Sequence, residues 1–473
     1  MVWSILRSCV DYFTAANDAA VKIVEGAGLR MSLARFVTGI VAMVPLNLVA
    51  GSIPKGKARH LFGACSTLSL LAFAYGRDVE QFVYAGALVY LFMRFFPKKC
   101  GYLTWGTIFS YQIYLHYERA SEAAWNAGDI DFTGSFMMLV LKLISISMDY
   151  QDGMTGKKSK HAVSELPSIL EYCGYLGGMN GIMVGPHFYY DDYTRYASGT
   201  GEYANLGTQK FPRRALPALK ALGTGILCAG LFAFATKTVP RSAIIFSKED
   251  MSFFKRFTLS FLANMGYRSR FYFAWHLSES AYILSGFGFD GYEEDGKTAT
   301  WTKAINAPIA DIELNPSAAS VVTRWNCHTG QWLRTYVYER VGGRGFWPVL
   351  VTQIISGVWH GMTTGYVLFF FNSAILIHCS RVIYRIQKEY LPKKYLAVSN
   401  EVHRVHTLFN LNYVAGSYAA GNVYKCLGWF ASLYYLGHIE MLTIILVGTI
   451  FFPRKHPKRK AAAPASQDEK KKA

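Results

Sequence analysis

Long apolar runs alternate with short polar or basic segments along most of the chain. A helix that crosses the hydrocarbon core needs about 20 mostly apolar residues, whereas shorter segments are tolerated at membrane depth only where protein or a water-filled cavity covers them. The pattern predicts an all-α, polytopic membrane protein with about eleven transmembrane helices plus re-entrant or short helices around an internal chamber. The predicted spans are residues 33–50, 61–76, 82–96, 103–115, 136–148, 216–235, 271–288, 349–359, 365–378, 424–436 and 438–452.

Composition supports the membrane class. Charged residues make up 17% of the chain, whereas soluble proteins usually carry about 25%. Hydrophobic residues reach 52% and aromatic residues 15%, and aromatic rings beside apolar runs suit the membrane interface. No internal repeat of the kind that builds many transporters is visible, which disfavours a transporter or channel.

The net charge of +18 reflects membrane topology rather than nucleic-acid binding. Its lysines and arginines form short clusters between apolar runs, such as Lys55, Lys57 and Arg59, and no basic domain is present. Cytosolic loops carry such clusters, so a cytosolic position for this one places the N-terminus in the lumen. An odd number of spans then leaves the C-terminus in the cytosol.

Three regions follow: an N-terminal segment (1–32), a membrane domain (33–452) and a basic tail (453–473) that we expect to be disordered and cytosolic. Lys470, Lys471, Lys472 and Ala473 end the chain in a dilysine pattern, an endoplasmic reticulum retrieval signal. The alternative is that a lysine-rich tail ends this way by chance. Eight scattered cysteines without a CxxC pair predict neither disulfides nor a metal site.

Candidate chemistry lies in residues 325–340 (WNCHTGQWLRTYVYER) and in the VWHG sequence at 358–361. A polar group in apolar surroundings costs several kcal/mol unless it is satisfied, so Asn326 and His360 need a reason to be there. An imidazole can accept a proton from a hydroxyl near neutral pH. Taken alone, His360 is better explained as a buried histidine that bonds a neighbouring carbonyl, and His328 is its strongest rival as a base.

The combination WNxxxxxWLRxYVYER, followed by an apolar span ending in WHG, strongly resembles the membrane-bound O-acyltransferase (MBOAT) family. The likeness covers most of the chain and is strongest to lysophospholipid acyltransferases, particularly the plant-like lysophosphatidylcholine branch. Residues 143–153, 168–193 and 270–292 share it, including Gly185, Pro186, Asp191, Asp192 and Tyr193. Cys327, His328 and the Gly181-Ile182-Met183 stretch depart from the expected pattern and bear on substrate preference.

The resemblance implies that His360 is the catalytic residue and Asn326 its partner, in transfer of an acyl chain from acyl-CoA to a lysophospholipid hydroxyl. Acyl-CoA is then a co-substrate and no cofactor is needed. We add five candidate substrate contacts: Trp325, Trp359, Glu279, Arg334 and Tyr338. Assembly as a homodimer is left open by the sequence.

Several features carry two interpretations. Arg334, Glu339 and Arg340 form either a polar cluster beside Asn326 or ion pairs at the membrane edge. The basic residues 381–388 either receive CoA phosphates or mark a cytosolic loop. Glu279 is either functional or satisfies a neighbouring helix. Glycines at 174–181 favour close helix packing over a nucleotide loop.

Competing functions remain. Within the family, the acceptor is a lysophospholipid or else diacylglycerol, a sterol or a protein; the FYxDWWN-type segment of the sterol and diacylglycerol branch is absent from the sequence. Outside it, the alternatives are a lipid transporter and a non-catalytic scaffold.

Overall fold

A computed structural model describes residues 26, 30–119, 130–208, 211–247, 251–420 and 422–455 of the 473-residue chain. Within these ranges the protein is helical and has no β-strand beyond one bridge between Tyr292 and Ala299. The α-helices are α1 Met31–Ala50, α2 Lys57–Tyr75, α3 Val79–Phe95, α4 Cys100–Thr104, α5 Ser110–Arg119, α6 Thr133–Met154, α7 Ile169–Gly177, α8 Tyr190–Ser198, α9 Phe211–Thr238, α10 Arg241–Ile245, α11 Phe253–Ser285, α12 Ile309–Glu313, α13 Ala318–Arg324, α14 Cys327–Leu333, α15 Phe346–His360, α16 Thr364–Glu389, α17 Leu396–Ser417, α18 Val423–Ser432 and α19 Leu436–Ile450. Short 3₁₀ turns occupy Gly76–Asp78, Gly178–Asn180, Gly201–Thr208 and Lys393–Tyr395, and π-helical turns occupy Trp105–Phe109 and Arg334–Tyr338.

Three helices in the described part of the chain are long and apolar enough to cross a membrane: Met31–Ala50, Arg214–Thr238 and Thr364–Glu389. A fourth span is possible in α18 and α19, which bend by 78° at a short break. On α9, Leu227 and Phe234 are 75% and 65% exposed. Exposing such large apolar side chains to water costs free energy, whereas exposing them to lipid does not. The protein is a multi-pass membrane protein, and its shorter helices pack among these spans.

The predicted and observed helices differ in three places. The predicted span 271–288 is the second half of α11, a 33-residue helix that begins at Phe253. The predicted span 103–115 is divided between α4 and α5, which a π-helical turn at Trp105–Phe109 joins. The predicted spans 424–436 and 438–452 form the bent α18–α19 pair, because the chain breaks at Tyr434 and Tyr435, which are both in the left-handed region.

Helix α17 is an element that the hydrophobic pattern did not predict. It carries His403, His406, Asn410 and Asn412, all buried, so its sequence reads as polar. The polar groups are satisfied inside the protein: His403 bonds Ser380 at 3.0 Å, and Glu440 receives hydrogen bonds from His406 at 2.8 Å and Asn410 at 2.6 Å. Hydropathy fails here because it counts polarity without the partner that offsets it.

Helix α6 forms the centre of the protein, with residues 139–152 all buried. Its polar side chains bond neighbouring segments rather than solvent. Lys142 donates to the carbonyls of Tyr175 and Leu176 at 2.9 and 3.0 Å, which caps the end of α7. The helix therefore serves as the fixed support for the segments that carry candidate chemistry.

Three side chains attach residues 332–340 to α6. The Trp332 indole donates to the Leu141 carbonyl at 3.0 Å. The Tyr336 hydroxyl lies 2.8 and 2.7 Å from the two Asp149 carboxylate oxygens, and Arg340 donates to Asp152 at 2.7 Å. The family-like segment 143–153 thus anchors the end of the WN segment.

Candidate active site

His360 is the last residue of α15, and the glycine after it ends the helix. Gly361 has φ of 146°, in a region that L-residues rarely adopt, and a Cβ there would lie 2.9 Å from the Tyr366 ring. The WHG sequence therefore stops the helix directly after the histidine. This places the imidazole at a helix end instead of in the middle of a packed face.

The His360 ring packs against aromatic neighbours and leaves its nitrogens free. It stacks on Phe370 with ring centres 5.1 Å apart and an interplanar angle of 20°. Tyr366 and Tyr418 lie farther out, at 6.2 and 6.4 Å. Neither nitrogen bonds any described residue, so both are available to a bound molecule.

The backbone before His360 is held by a second helix. The Trp359 carbonyl accepts hydrogen bonds from Gln112 at 2.8 Å and from His116 at 3.0 Å, both on α5. These donors satisfy one of the carbonyls that a helix end leaves without an intrahelical partner. Gln112 and His116 belong to no motif, so the sequence gives no signal of this role.

Asn326 lies at the break between α13 and α14. Its backbone is left-handed, with φ of 47°, while Trp325 before it is extended. Asparagine is one of the few residues other than glycine that adopts this conformation readily. The break directs the asparagine side chain away from either helix surface.

The orientation of the Asn326 amide is fixed by Asn306. The backbone N–H of His328 donates to Asn306 Oδ1 at 3.3 Å, so the other side-chain atom of Asn306 is its NH2 group. That group donates to Asn326 Oδ1 at 2.9 Å. Because the Asn326 oxygen is occupied, its NH2 group is the end left as a donor. No motif around Asn306 signals this role in the sequence.

His360, Asn326 and Trp325 line one cavity of about 260 Å³. Its walls come from the helices α10 to α17, and they are mostly apolar and aromatic. A smaller number of polar side chains also line the cavity: Arg241, Asn264, Arg268, Glu313, Gln353, Ser356, Ser373 and Asn412. A mainly apolar cavity with a few convergent polar groups is typical of a site for small molecules.

Residues 119–413, which include both asparagines and the WHG sequence, match the membrane-bound O-acyltransferase family, MBOAT. The chain belongs to this family. It is 32% identical to lysophospholipid acyltransferase 1 of Arabidopsis thaliana over 89% of this chain and 95% of that protein. Lysophospholipid acyltransferase 2 of the same plant is 31% identical over 89% and 94%. Human lysophospholipid acyltransferase 5 is 25% identical over 82% of each chain.

Four of the predicted substrate contacts of this MBOAT protein lie outside the cavity wall. Trp359 does not line the cavity: its ring lies edge-on to the His360 ring with centres 4.7 Å apart, and its indole donates to the Met137 carbonyl at 3.1 Å. Tyr338 packs in a separate apolar cluster with Val349 and Ala374. Both are therefore packing residues in this structure.

The other two are charged and paired. Arg334 is 73% exposed and bonds Glu339 at 2.8 Å, which is the membrane-edge ion pair of the alternative interpretation. Glu279 bonds His276 at 2.9 Å on its own helix, α11. Neither reaches the cavity, and Arg340 turns to Asp152 on α6 instead of joining Arg334.

His328 and Cys327 turn away from the cavity. The His328 ring lies edge-on to Phe188 with centres 4.7 Å apart, and the Cys327 thiol donates to the Ile305 carbonyl at 3.1 Å. The two departures from the family pattern thus pack behind Asn326. His328 as a rival base has no access to the cavity that holds His360.

The acidic residues at 191 and 192 support the loop that carries Asn306. Asp192 pairs with Lys303 at 3.3 Å, three residues before Asn306, and Glu202 also bonds Lys303. Asp191 bonds His161 and Arg195, both at 2.9 Å. Burial alone would raise the pKa of Asp191, but these two partners outweigh it and lower the pKa to about 2. The carboxylate is charged at neutral pH and contributes to the support of the loop.

Proposed function

We propose that this protein transfers an acyl chain from acyl-CoA to the free glycerol hydroxyl of a lysophospholipid. The observation that carries the proposal is that His360 and Asn326, from two separate segments, line the same cavity. The two Arabidopsis relatives, which align over nearly their whole length, carry the name lysophospholipid acyltransferase.

The reaction needs one base and one donor. His360 accepts the proton of the hydroxyl as its oxygen attacks the thioester carbonyl carbon. The new C–O bond forms, the C–S bond breaks, and the leaving CoA thiolate takes up the proton, so no acyl-enzyme is required. The Asn326 NH2 group donates to the oxyanion that develops on the carbonyl, an interaction worth about 3 kcal/mol in other enzymes.

The aromatic wall of the cavity supports a choline headgroup on the acceptor. Phe271, Trp275 and Trp325 line the cavity together, and Trp325 lies 5.8 Å from Phe271 and 5.0 Å from Trp275 between ring centres. Aromatic faces, tryptophan above all, attract quaternary ammonium groups. We therefore propose lysophosphatidylcholine as a preferred acceptor.

The cellular location we propose is the endoplasmic reticulum membrane, with the C-terminus in the cytosol. It rests on the basic tail and the dilysine ending. The tail residues 456–473 and most of the N-terminal segment 1–32 lie outside the described residues, so both the predicted disorder and the signal stay predictions.

The test is acyl transfer in microsomes from a yeast strain without its own enzymes of this kind. Labelled oleoyl-CoA is supplied with a panel of lysophospholipids, and with diacylglycerol and a sterol. His360→Ala is compared with His328→Ala, a matched removal of a buried imidazole that does not line the cavity. We expect lysophospholipid acylation that His360→Ala abolishes and His328→Ala largely retains.

The outcomes separate the parts of the proposal. Acylation of diacylglycerol or sterol but of no lysophospholipid would reject the substrate class. Full activity of His360→Ala at equal expression would reject the base. Equal rates with all headgroups would reject only the preference for choline.

A further inference from the structure

Arg241 is a positively charged group on the cavity wall that has no carboxylate partner among the described residues. Its Nε donates to Asn264 Oδ1 at 2.8 Å and one Nη donates to the Ala415 carbonyl at 2.6 Å. Both acceptors are neutral. Its other terminal nitrogen, Nη1, bonds no described residue, so this guanidinium presents a donor toward the cavity.

Arg268, on the same wall, is paired with a carboxylate, as a buried arginine usually is. It makes two parallel hydrogen bonds to the Glu313 carboxylate, at 2.9 and 2.8 Å, and a third to Asn412 at 3.1 Å. Charge on this pair is neutralised within the protein. Arg241 therefore gives the wall a net positive charge that the described residues leave uncompensated.

A second arginine, Arg270, does not itself line the cavity but lies beside Arg241. The guanidinium carbons of Arg241 and Arg270 lie 4.1 and 3.8 Å from the centre of the same Tyr267 ring. Arg270 bonds the Tyr267 hydroxyl, its Nε is buried without a partner, and it has no carboxylate among the described residues. Two like charges on one ring repel, and an anion between or beside them would offset both the repulsion and the lost solvation.

The Arg241 guanidinium is close to His360. The Tyr418 ring centre is 5.7 Å from the Arg241 guanidinium carbon and 6.4 Å from the His360 ring centre, so one tyrosine separates them. Resting on the proposed function, we propose that Arg241, assisted by Arg270, binds the phosphate of the acceptor lysophospholipid and so places its glycerol hydroxyl at His360. An arginine fork suits phosphate oxygens.

The distance favours the acceptor over CoA as the source of this phosphate. In a lysophospholipid only one carbon and one ester oxygen stand between the hydroxyl-bearing carbon and the phosphorus. In acyl-CoA the whole pantetheine arm separates the thioester from the diphosphate. A phosphate site one ring away from the base therefore matches the acceptor. The Phe271 and Trp275 rings continue along α11 from Tyr267, where the headgroup beyond the phosphate would lie.

The experiment compares two acceptors that differ in the phosphate. Binding of 1-oleoyl-lysophosphatidylcholine and of monooleoylglycerol is measured on the full chain in nanodiscs, with His360→Ala to prevent turnover. We expect Arg241→Met to raise the Kd for the lysophospholipid about ten- to hundredfold, the loss expected for a charge-assisted hydrogen bond, and to leave the Kd for monooleoylglycerol unchanged. Arg241→Lys should show a smaller effect. Arg404→Met, which breaks a surface pair with Glu401, is the matched control and should change neither.

Each result decides something. An unchanged lysophospholipid Kd in Arg241→Met overturns the site, and so does a rise that is confined to the Kd for oleoyl-CoA, measured in the same nanodiscs. Should both Arg241 variants fail to fold, the intact protein still decides, because equal affinity for the two acceptors contradicts a phosphate site. Phosphate-dependent binding without acyl transfer by the wild type would reject the proposed function and keep the site.

Discussion

Two asparagines from different loops decide which end of the Asn326 amide faces the cavity. Asn306 accepts from the His328 backbone and donates to the Asn326 oxygen. An aspartate at 306 would accept from the backbone equally well but would have no donor for Asn326. The orientation of the Asn326 amide would then no longer be fixed.

We predict that Asn306→Asp lowers kcat by about tenfold with little change in KM, because the Asn326 donor acts on the transition state rather than on bound substrate. Asn326→Asp, which removes the donor itself, should cost about 10²-fold or more in kcat. Steady-state kinetics with lysophosphatidylcholine measure both. A higher KM at constant kcat would mean that these residues bind the ground state instead.

At the scale of helices, glycines let α7 approach α2 closely. A Cβ at Gly177 would lie 2.5 Å from the Gly63 carbonyl oxygen and 2.9 Å from the Ala64 Cα. Both obstacles are backbone atoms, which cannot rotate away. The glycine-rich stretch therefore serves helix packing, as the sequence favoured, and the cavity that borders it measures only about 20 Å³.

We predict that Gly177→Ala destabilises the protein by about 1–3 kcal/mol, the usual cost of overpacking. Gly230→Ala is the control, because a Cβ there meets nothing within 4 Å and alanine favours a helix. Thermal unfolding in detergent, followed by tryptophan fluorescence, compares them. Equal melting temperatures would show that the α2–α7 contact yields at low cost.

For the whole molecule, the open question is where it resides. We predict that replacing Lys470 and Lys471 with serine releases the protein from the endoplasmic reticulum, since the retrieval pattern needs both lysines. Fluorescence microscopy of an N-terminally tagged chain measures this. Lys458→Ser with Lys460→Ser removes the same charge elsewhere in the tail and should leave the location unchanged. Retention of the first variant would show that another signal holds the protein.

The sequence by itself determined the membrane class and the family, and it supplied the candidate pair His360 and Asn326. Apolar run length and low charge depend on composition alone, and the WN and WHG segments are contiguous, so no knowledge of the fold is needed to see them. The positions of most long helices followed for the same reason, whereas the count of about eleven spans stays a prediction. Helix α17 did not, because its buried His403 and Asn410 are matched by partners far along the chain.

Only the tertiary structure decided which residues share the cavity. Arg334 and Glu279 are charged residues in or near apolar segments, as residues of a site often are. Each nevertheless pairs with a close neighbour in the sequence and lies outside the cavity. Arg241, Asn306 and Gln112 are ordinary in sequence and gain their roles from contacts with distant segments. The local sequence pattern gives the chemical type of a side chain. Its hydrogen-bond partners, its orientation and whether its charge is compensated are decided only when helices that are distant in sequence pack together.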